Sequence, residues 1–459
     1  MPVFERRSPM PVSADDLYVY HARPGAFERL MPPWQKLRVL ERSGDVTGGR
    51  LAFEVRVGPM KRRWVAEMGD SVPGRQFVDR QVEGPFSSWV HTHRFLPGTP
   101  GGAGSASELL DHVEYRLPAG GITDLVGEGP ANKALERLFR FRHERTRSDL
   151  EHHARWSDQP RLRVAIGGAS GLVGGHLADY LTTAGHDVVR LVRRSEAEAG
   201  EVAWDPAAGR LDPRDLEGVD AVINLGGVTI AGWWTSRRRR AILDSRVQAT
   251  QTLAAAMARM PTPPAVFVSA SAVGAYGSRG GDTITERDQL GSGYLADVCR
   301  EWEGAANAAR DAGVRVVTTR FGIVVSAAGG VVAKVLPAFK AGLGARLGDG
   351  QHYWAWVQLD DVLAAIEWAL HDEALAGPVN VTAPAPVTNA EFTRSLARAV
   401  HRPAVLAAPG VLLRRSLGGM GEEMMLASQR AVPARLVERG FRFSYPRLEG
   451  ALRFELGRG

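Results

Sequence analysis

Between about residues 35 and 117 the chain alternates apolar and polar positions. Leu51–Val57, Gln76–Val82 and His112–Leu117 each alternate, the period of a strand with one buried face. Gly48-Gly49, Gly58-Pro59 and Gly84-Pro85 punctuate these runs, and Pro97–Gly104 predicts a mobile hairpin loop between two strands. The period then lengthens. Leu135, Leu138, Phe139 and Arg142 recur at helical spacing and predict one helix over Pro130–Trp156. Residues 1–156 thus predict a curved antiparallel sheet closed by a C-terminal helix, followed by a linker at Ser157–Pro160.

From Leu162 the rhythm becomes strand, loop, helix. Arg163–Ile166, Asp187–Val192, Ala221–Leu225, Ala265–Ser269 and Val314–Thr319 are apolar strand candidates with helical segments between them. Such alternation requires a parallel sheet covered by helices on both faces. Residues 161–400 are assigned to this α/β domain. Residues 401–459, with helices expected at Val411–Leu417, Glu422–Gln429 and Leu448–Phe454, are assigned to a small appendage.

Composition narrows the function classes. A chain of 459 residues exceeds one ordinary domain. The net charge is only +6, and its arginines are interleaved with Asp and Glu, so a solvated surface is expected and no nucleic-acid partner. Cys299 is the only cysteine, which excludes an internal disulfide. The N-terminal segment lacks an apolar signal core, and no apolar run reaches the 18 residues of a membrane span, so a cytoplasmic protein without a span is expected.

The candidate chemistry centres on Arg163–His176. A short strand runs into Gly168, Gly171 and Gly174, spaced G-x-x-G-x-x-G, and straight on into a helix. This arrangement points helix amides at a pyrophosphate. An acidic residue about 20 positions on would bind the ribose of NAD. Here Arg193 stands nineteen positions after Gly174, with Arg194 beside it. Two guanidinium groups suit a 2′-phosphate, so NADP (NADPH) is the expected cofactor. The alternative is two solvated surface arginines.

The turn, Asn224-Leu-Gly-Gly-Val-Thr229, Ser269–Gly277 and Arg320-Phe-Gly-Ile-Val324 follow one another as in extended short-chain dehydrogenase/reductases. Trp233-Trp-Thr235, Ser245-Arg-Val247, Trp302-Glu303, Gly348-Asp-Gly-Gln351 and Trp356–Asp361 resemble that superfamily's atypical epimerase-like branch, and Gly418–Gln429 and Gly440–Phe443 its closing small domain, DUF1731. The resemblance implies a Rossmann-like doubly wound sheet. It implies a pyrophosphate loop at Gly168, Ser170, Gly171, Leu172, Val173 and Gly174, and further cofactor contacts at Asn224, Leu225, Gly226, Gly227 and Ser269. It also implies catalytic roles for Ser271 and Tyr294. Active relatives carry Tyr-x-x-x-Lys, in which lysine lowers the tyrosine pKa. Position 298 is Val here, and Arg300, six positions on, points elsewhere, so the lysine that activates the tyrosine in that pattern is missing beside Tyr294. Arg246, where the superfamily commonly has asparagine, is a candidate polar contact. Tyr276 is an alternative phenol.

Other candidates carry two readings each. Arg237–Arg240 is a solvated helix start or an anion contact. Gln351, Trp354 and Trp356 border the substrate cleft in relatives, although Trp356 also suits a core. His91 and His93 share one strand face; a packed or hydrogen-bonded pair is expected and no metal, since an ion needs further ligands. His21–Trp34, the strand series and the long helix resemble the START/polyketide-cyclase-like (SRPBCC) helix-grip superfamily, an α+β fold that implies an apolar cavity and a hydrophobic ligand. The expected function is NADP-dependent redox or epimerisation of a small-molecule substrate. The competing readings are a non-catalytic NADP sensor and a lipophilic-ligand carrier.

Overall fold

The computed structural model describes residues 1–35, 37–57, 60–98, 106–118 and 129–458. Most of the loop expected at Pro97–Gly104 lies outside them. The chain forms two compact units, one built mainly of Met1–Asp158 and the other of Gln159–Leu181 and His186–Leu456.

The first unit contains seven strands: β1 (Val3–Met10), β2 (Leu37–Ser43), β3 (Arg50–Val57), β4 (Met60–Val72), β5 (Gln76–Glu83), β6 (Ser88–Pro97) and β7 (Ser107–Arg116). They form one antiparallel sheet in the order β1-β7-β6-β5-β4-β3-β2. Register shifts between β4 and β5 add local bends. The long helix runs Gly129–His153 and tightens into a short 3-10 turn, Ala154–Trp156. Its Leu135 and Phe139 pack on Phe4, Trp89, Val113 and Tyr115 of the sheet.

The interior of this unit also holds buried polar groups. Arg29 and Asp149 form a buried bidentate pair, with Nη2–Oδ1 at 2.6 Å and Nε–Oδ2 at 2.8 Å. Tyr20 Oη donates to the same carboxylate at 2.8 Å. His91 and His93, on the face that β6 turns inward, meet acidic groups from both neighbouring strands.

The second unit is built on β8 (Arg163–Gly167), β9 (Asp187–Val192), β10 (Glu201–Ala203), β11 (Ala221–Asn224), β12 (Val266–Ala272), β13 (Arg315–Phe321) and β14 (Gly377–Val381). All neighbours are parallel, in the order β10-β9-β8-β11-β12-β13-β14. Val164, Ala165 and Ile166 are all fully buried, as a sheet covered on both faces requires. Ala249, Leu253 and Met257 of the helix Ser236–Ala258 join Ala165, Val222, Phe267 and Val316 in one core. Tyr180 of the helix Leu172–Ala184 donates to Glu367 of the buried helix Leu359–His371 at 2.6 Å. This is the α/β doubly wound sheet expected.

The C-terminal residues are woven into this unit. Leu406–Ala408 pairs with Ala345–Leu347, and Arg430–Ala431 with Thr283–Ile284. Glu455, on the helix Leu448–Leu456, is fully buried and accepts from Gln358 Nε2 at 2.9 Å, Ala327 N at 2.7 Å and Ser326 Oγ at 3.1 Å. The helix expected at Glu422–Gln429 is instead a single wide turn, Gly421–Leu426. Ser428 and Gln429 leave it extended, because their amides bond to Ser278 Oγ and the Tyr353 carbonyl.

The buried Arg29–Asp149 pair generates a stability prediction. Asp149→Asn removes the negative partner of a guanidinium held out of water, and should cost about 3–5 kcal/mol. Chemical denaturation checks this; an unchanged midpoint would show the pair to be dispensable.

Candidate functional site

Strand order reverses between β8 and β11, and the crevice outside the carboxyl ends of such strands is where ligands bind in open parallel sheets. Gly167, Asn224 and Ser269 lie side by side there on β8, β11 and β12. Gly168 turns the chain with φ +83°. A Cβ on it would stand 2.8 Å from Gly226 N and from the Leu225 carbonyl carbon. A Cβ on Gly174 would stand 2.3 Å from the Gly168 oxygen. Two loops and a helix start therefore meet backbone to backbone, with no room for side chains. The amides of Leu172, Val173 and Gly174 have no acceptor among the described residues, so they face the crevice as free donors.

Asn224 holds the second loop. Its Nδ2 donates to Thr250 Oγ1 at 2.9 Å and its Oδ1 accepts from Gly226 N at 3.0 Å, so the buried side chain shapes Leu225, Gly226 and Gly227. Ser269 is buried, and its Oγ has no partner among the described residues. Arg193 and Arg194 follow β9, and the structure separates them. Arg194 is engaged with Glu198 at 3.0 Å, with Glu201, and with the Glu196 carbonyl at 2.9 Å. Arg193 is exposed and has no ion pair among the described residues.

β12 continues through Ala272, so Ser271 sits within a strand rather than in a loop beyond one. It is 2% exposed, and its hydroxyl donates to Glu303 Oε1 at 2.7 Å. Glu303 also takes both arms of Arg320, at 2.8 and 2.7 Å. Arg320 Nη1 donates to Tyr276 Oη at 2.9 Å, and Tyr276 donates to Asn380 Oδ1 at 2.8 Å. Burial raises the Tyr276 pKa. The network ties β12, β13 and β14 together, and Tyr276, fully buried, belongs to it structurally.

Tyr294 opens the helix Tyr294–Gly304. Glu423 caps that helix, accepting from Tyr294 N at 3.1 Å and Leu295 N at 2.8 Å. The phenol donates to the Arg239 carbonyl at 2.6 Å and packs edge-on against Trp234. Burial raises its pKa, against the opposing pull of Arg246 and Arg239. Val298, one turn on, is buried. Arg246 arrives instead from the helix Ser236–Ala258. Its Nη1 bonds to the carbonyls of Val228 at 3.1 Å and Ile242 at 3.0 Å, and its guanidinium lies 5.1 Å from the Trp302 ring centre. Cys299 lies beside this group, and burial pushes its thiol up to about 11, so it is an unreactive thiol.

Comparison with known proteins places this geometry. The sequence profile of the NAD dependent epimerase/dehydratase family matches residues 164–381. An epimerase family protein of Mycobacterium bovis, Mb2239, is 44% identical over 63% of this chain and 96% of its own length. The chain belongs to the epimerase family. Two further profiles match: a domain of unknown function, DUF1731, at 408–455, and polyketide cyclase / dehydrase and lipid transport at 10–139. A nucleoside-diphosphate sugar epimerase of Corynebacterium glutamicum is structurally similar over 99% of this chain and 90% of that one, with TM-score 0.81 and 31% identity. The human epimerase family protein SDR39U1, solved with NADPH, matches 64% of this chain and 98% of its own, with TM-score 0.59 and 30% identity. Nicotinamide cofactors are the family's cofactors. Among the described residues no helix is long and apolar enough to cross a membrane.

The remaining candidates in this epimerase-family chain divide cleanly. Trp356 is core, fully buried, with Nε1 bonded to the Ala385 carbonyl. Gln351 lines a cleft of about 590 Å³ together with Asp349, His352, Arg414 and Ser428. The Gly168 turn is not part of that cleft's lining. Within Arg237–Arg240, Arg238 anchors the preceding loop through the Thr229 and Ala231 carbonyls, and Arg239 lies near the Tyr294 and Trp234 rings. Glu303 and Glu423 were given no role from sequence. Glu303 stood in a quoted motif, but its bonds to Ser271 and Arg320 depend on strand register. Glu423 lies 129 residues from the amide it caps.

The crowding around Gly168 sets a test. Gly174→Ala should cost about 1–3 kcal/mol, the usual penalty of overpacking against backbone. At Gly175 a Cβ finds 3.4 Å of space, so Gly175→Ala should be neutral or stabilising by up to about 1 kcal/mol. Urea denaturation followed by circular dichroism distinguishes them; equal effects would contradict the packing described.

Proposed function

We propose that this chain binds NADP(H) at the Gly168 turn and catalyses redox or epimerisation chemistry on a small carbonyl or hydroxyl compound, with Tyr294 as proton donor. The carrying observation is the cradle of bare backbone around Gly168 and Gly174 beneath three free helix amides. It suits a pyrophosphate, which needs close approach and N–H donors. Arg193 extends this reading to a 2′-phosphate, since Arg194 is already engaged by carboxylates. Leu225–Gly227, directly after β11, and Ser269, on β12, border the same crevice.

NADPH, when bound, supplies hydride. The protein supplies the proton. The Tyr294 phenol is protonated at neutral pH and donates its proton to a developing alkoxide; burial, which raises its pKa, works against that donation, and the cations beside it oppose burial. Arg246 takes the electrostatic part that lysine plays in Tyr-x-x-x-Lys, stabilising the phenolate left after proton transfer. Ser271, whose hydrogen is committed to Glu303, acts by positioning: it holds the end of β12 beside Tyr276 and Arg320.

The buried Val298 favours one competing reading, a protein that binds NADPH without turning it over. Turnover decides. NADPH oxidation with a panel of small carbonyl compounds should fall at least about 100-fold in Tyr294→Phe, with NADPH affinity unchanged. No oxidation by the parent protein with any compound would support the sensor. Cofactor choice is tested separately: Arg193→Ala should weaken NADPH about tenfold by calorimetric titration, the loss of one charge-assisted contact, and leave NADH unaffected. Equal affinity of the parent for both cofactors would remove the 2′-phosphate assignment.

A further inference from the structure

The interior of the first unit holds a cluster that the redox chemistry does not use. His91 and His93, two apart on β6, project from one sheet face. Strand register sets Asp79 of β5 opposite His91 and Asp111 of β7 opposite His93. The sequence alone showed the two histidines and demanded further ligands; pairing of three strands supplies them.

The contacts form a closed ring. His91 Nδ1 and His93 Nε2 both face Asp79 Oδ2, at 3.0 and 3.3 Å. Their other nitrogens, His91 Nε2 and His93 Nδ1, both face Asp111 Oδ1, at 3.0 and 2.9 Å. Asp111 Oδ2 accepts from His143 Nε2 of the long helix at 2.8 Å, and Trp89 Nε1 donates to Asp79 Oδ1 at 3.3 Å. His91, His93, Asp111 and His143 are all buried, while Asp79 keeps partial access to water.

Protons alone satisfy this ring poorly. Four ring nitrogens face two carboxylate oxygens, and two neutral imidazoles own only two N–H groups. Neutral rings therefore leave two nitrogen lone pairs against oxygen lone pairs. A single extra proton still leaves one lone pair opposed, and doubly protonated rings satisfy every contact but place two cations with ring centres 3.8 Å apart, tilted by 44°, inside the protein. His93 Nδ1 shows the strain: despite its 2.9 Å approach to Asp111 it makes no aligned hydrogen bond.

A cation on the Asp79 side resolves the conflict. We propose that Asp79, His91 and His93 form a binding site for a divalent transition-metal ion such as zinc, with Asp111 and His143 as positioning residues. The three ligand atoms lie within 4.8 Å of one another. Donors around such an ion at about 2.0–2.2 Å stand roughly 3–3.5 Å apart, the spacing that Asp79 Oδ2 already keeps from both nitrogens. Each imidazole then stays neutral and turns its remaining N–H toward Asp111, the carboxylate–histidine–metal arrangement that fixes tautomer and ring orientation. Three protein ligands leave positions open for water or an anionic ligand group, the pattern of a reactive rather than a structural ion. This assignment is independent of cofactor binding in the other unit.

The test uses the full-length, untagged chain, stripped with EDTA and titrated with Co²⁺ while visible ligand-field absorption is read, then with Zn²⁺ in competition. One equivalent of Co²⁺ should saturate the band, and Zn²⁺ should abolish it. The double variant His91→Gln, His93→Gln should lose at least 100-fold in Co²⁺ affinity, while Asp111→Asn should keep one site weakened about 10–100-fold. Absence of the band in the parent protein, or undiminished affinity in the double variant, overturns the proposal. Should the double variant not fold, Asp79→Asn provides the same readout, and undiminished affinity there overturns it equally.

Discussion

The architecture of the second unit depends on a backbone contact that excludes side chains. Gly168 turns at a positive φ and lies within 2.8 Å, measured from a hypothetical Cβ, of the Leu225–Gly226 peptide; Gly174 closes on the Gly168 carbonyl from the other side. Because glycine has no Cβ, the first strand's loop, the loop after β11 and the start of the helix Leu172–Ala184 occupy one small volume. The helix amides are thereby brought to the crevice where strand order reverses. Asn224 enforces the contact from below by bonding Gly226 and Thr250.

The polar groups beside this crevice divide into a network that spans three strands and a phenol held by one backbone carbonyl. Ser271, Glu303, Arg320, Tyr276 and Asn380 satisfy one another across three strands, and their bonding capacity is spent on register. Tyr294 stands apart, on a helix start whose amides are taken by Glu423. Its nearest cations, Arg239 and Arg246, come from a different helix than the one that carries lysine in Tyr-x-x-x-Lys.

The strand–helix alternation, the long helix and the glycine turn were legible because each rests on local periodicity or on glycine spacing. What escaped was set by register and distance. The boundary of β12 slipped by three residues because Ala270-Ser-Ala272 is small and polar enough to resemble a loop, yet pairing with β13 extends the strand. Arg194 looked equivalent to its neighbour until Glu198 and Glu201 engaged it, a partnership hinted at by the four-residue spacing of Arg194 and Glu198. The Glu422–Gln429 segment has helical composition, but Ser428 and Gln429 are claimed by bonds to Ser278 and Tyr353, far away in sequence. His91 and His93 were visible as a pair, whereas Asp79 and Asp111 became their partners only through strand pairing.

The central claim is that the bare backbone around Gly168 receives the dinucleotide. Hydrogen exchange of the full chain with and without NADPH tests this at the amides themselves. The account predicts slowed exchange at 169–174 and 225–227 on adding NADPH, and unchanged exchange in β5–β7 of the first unit. Protection elsewhere with none at 169–174 would contradict it.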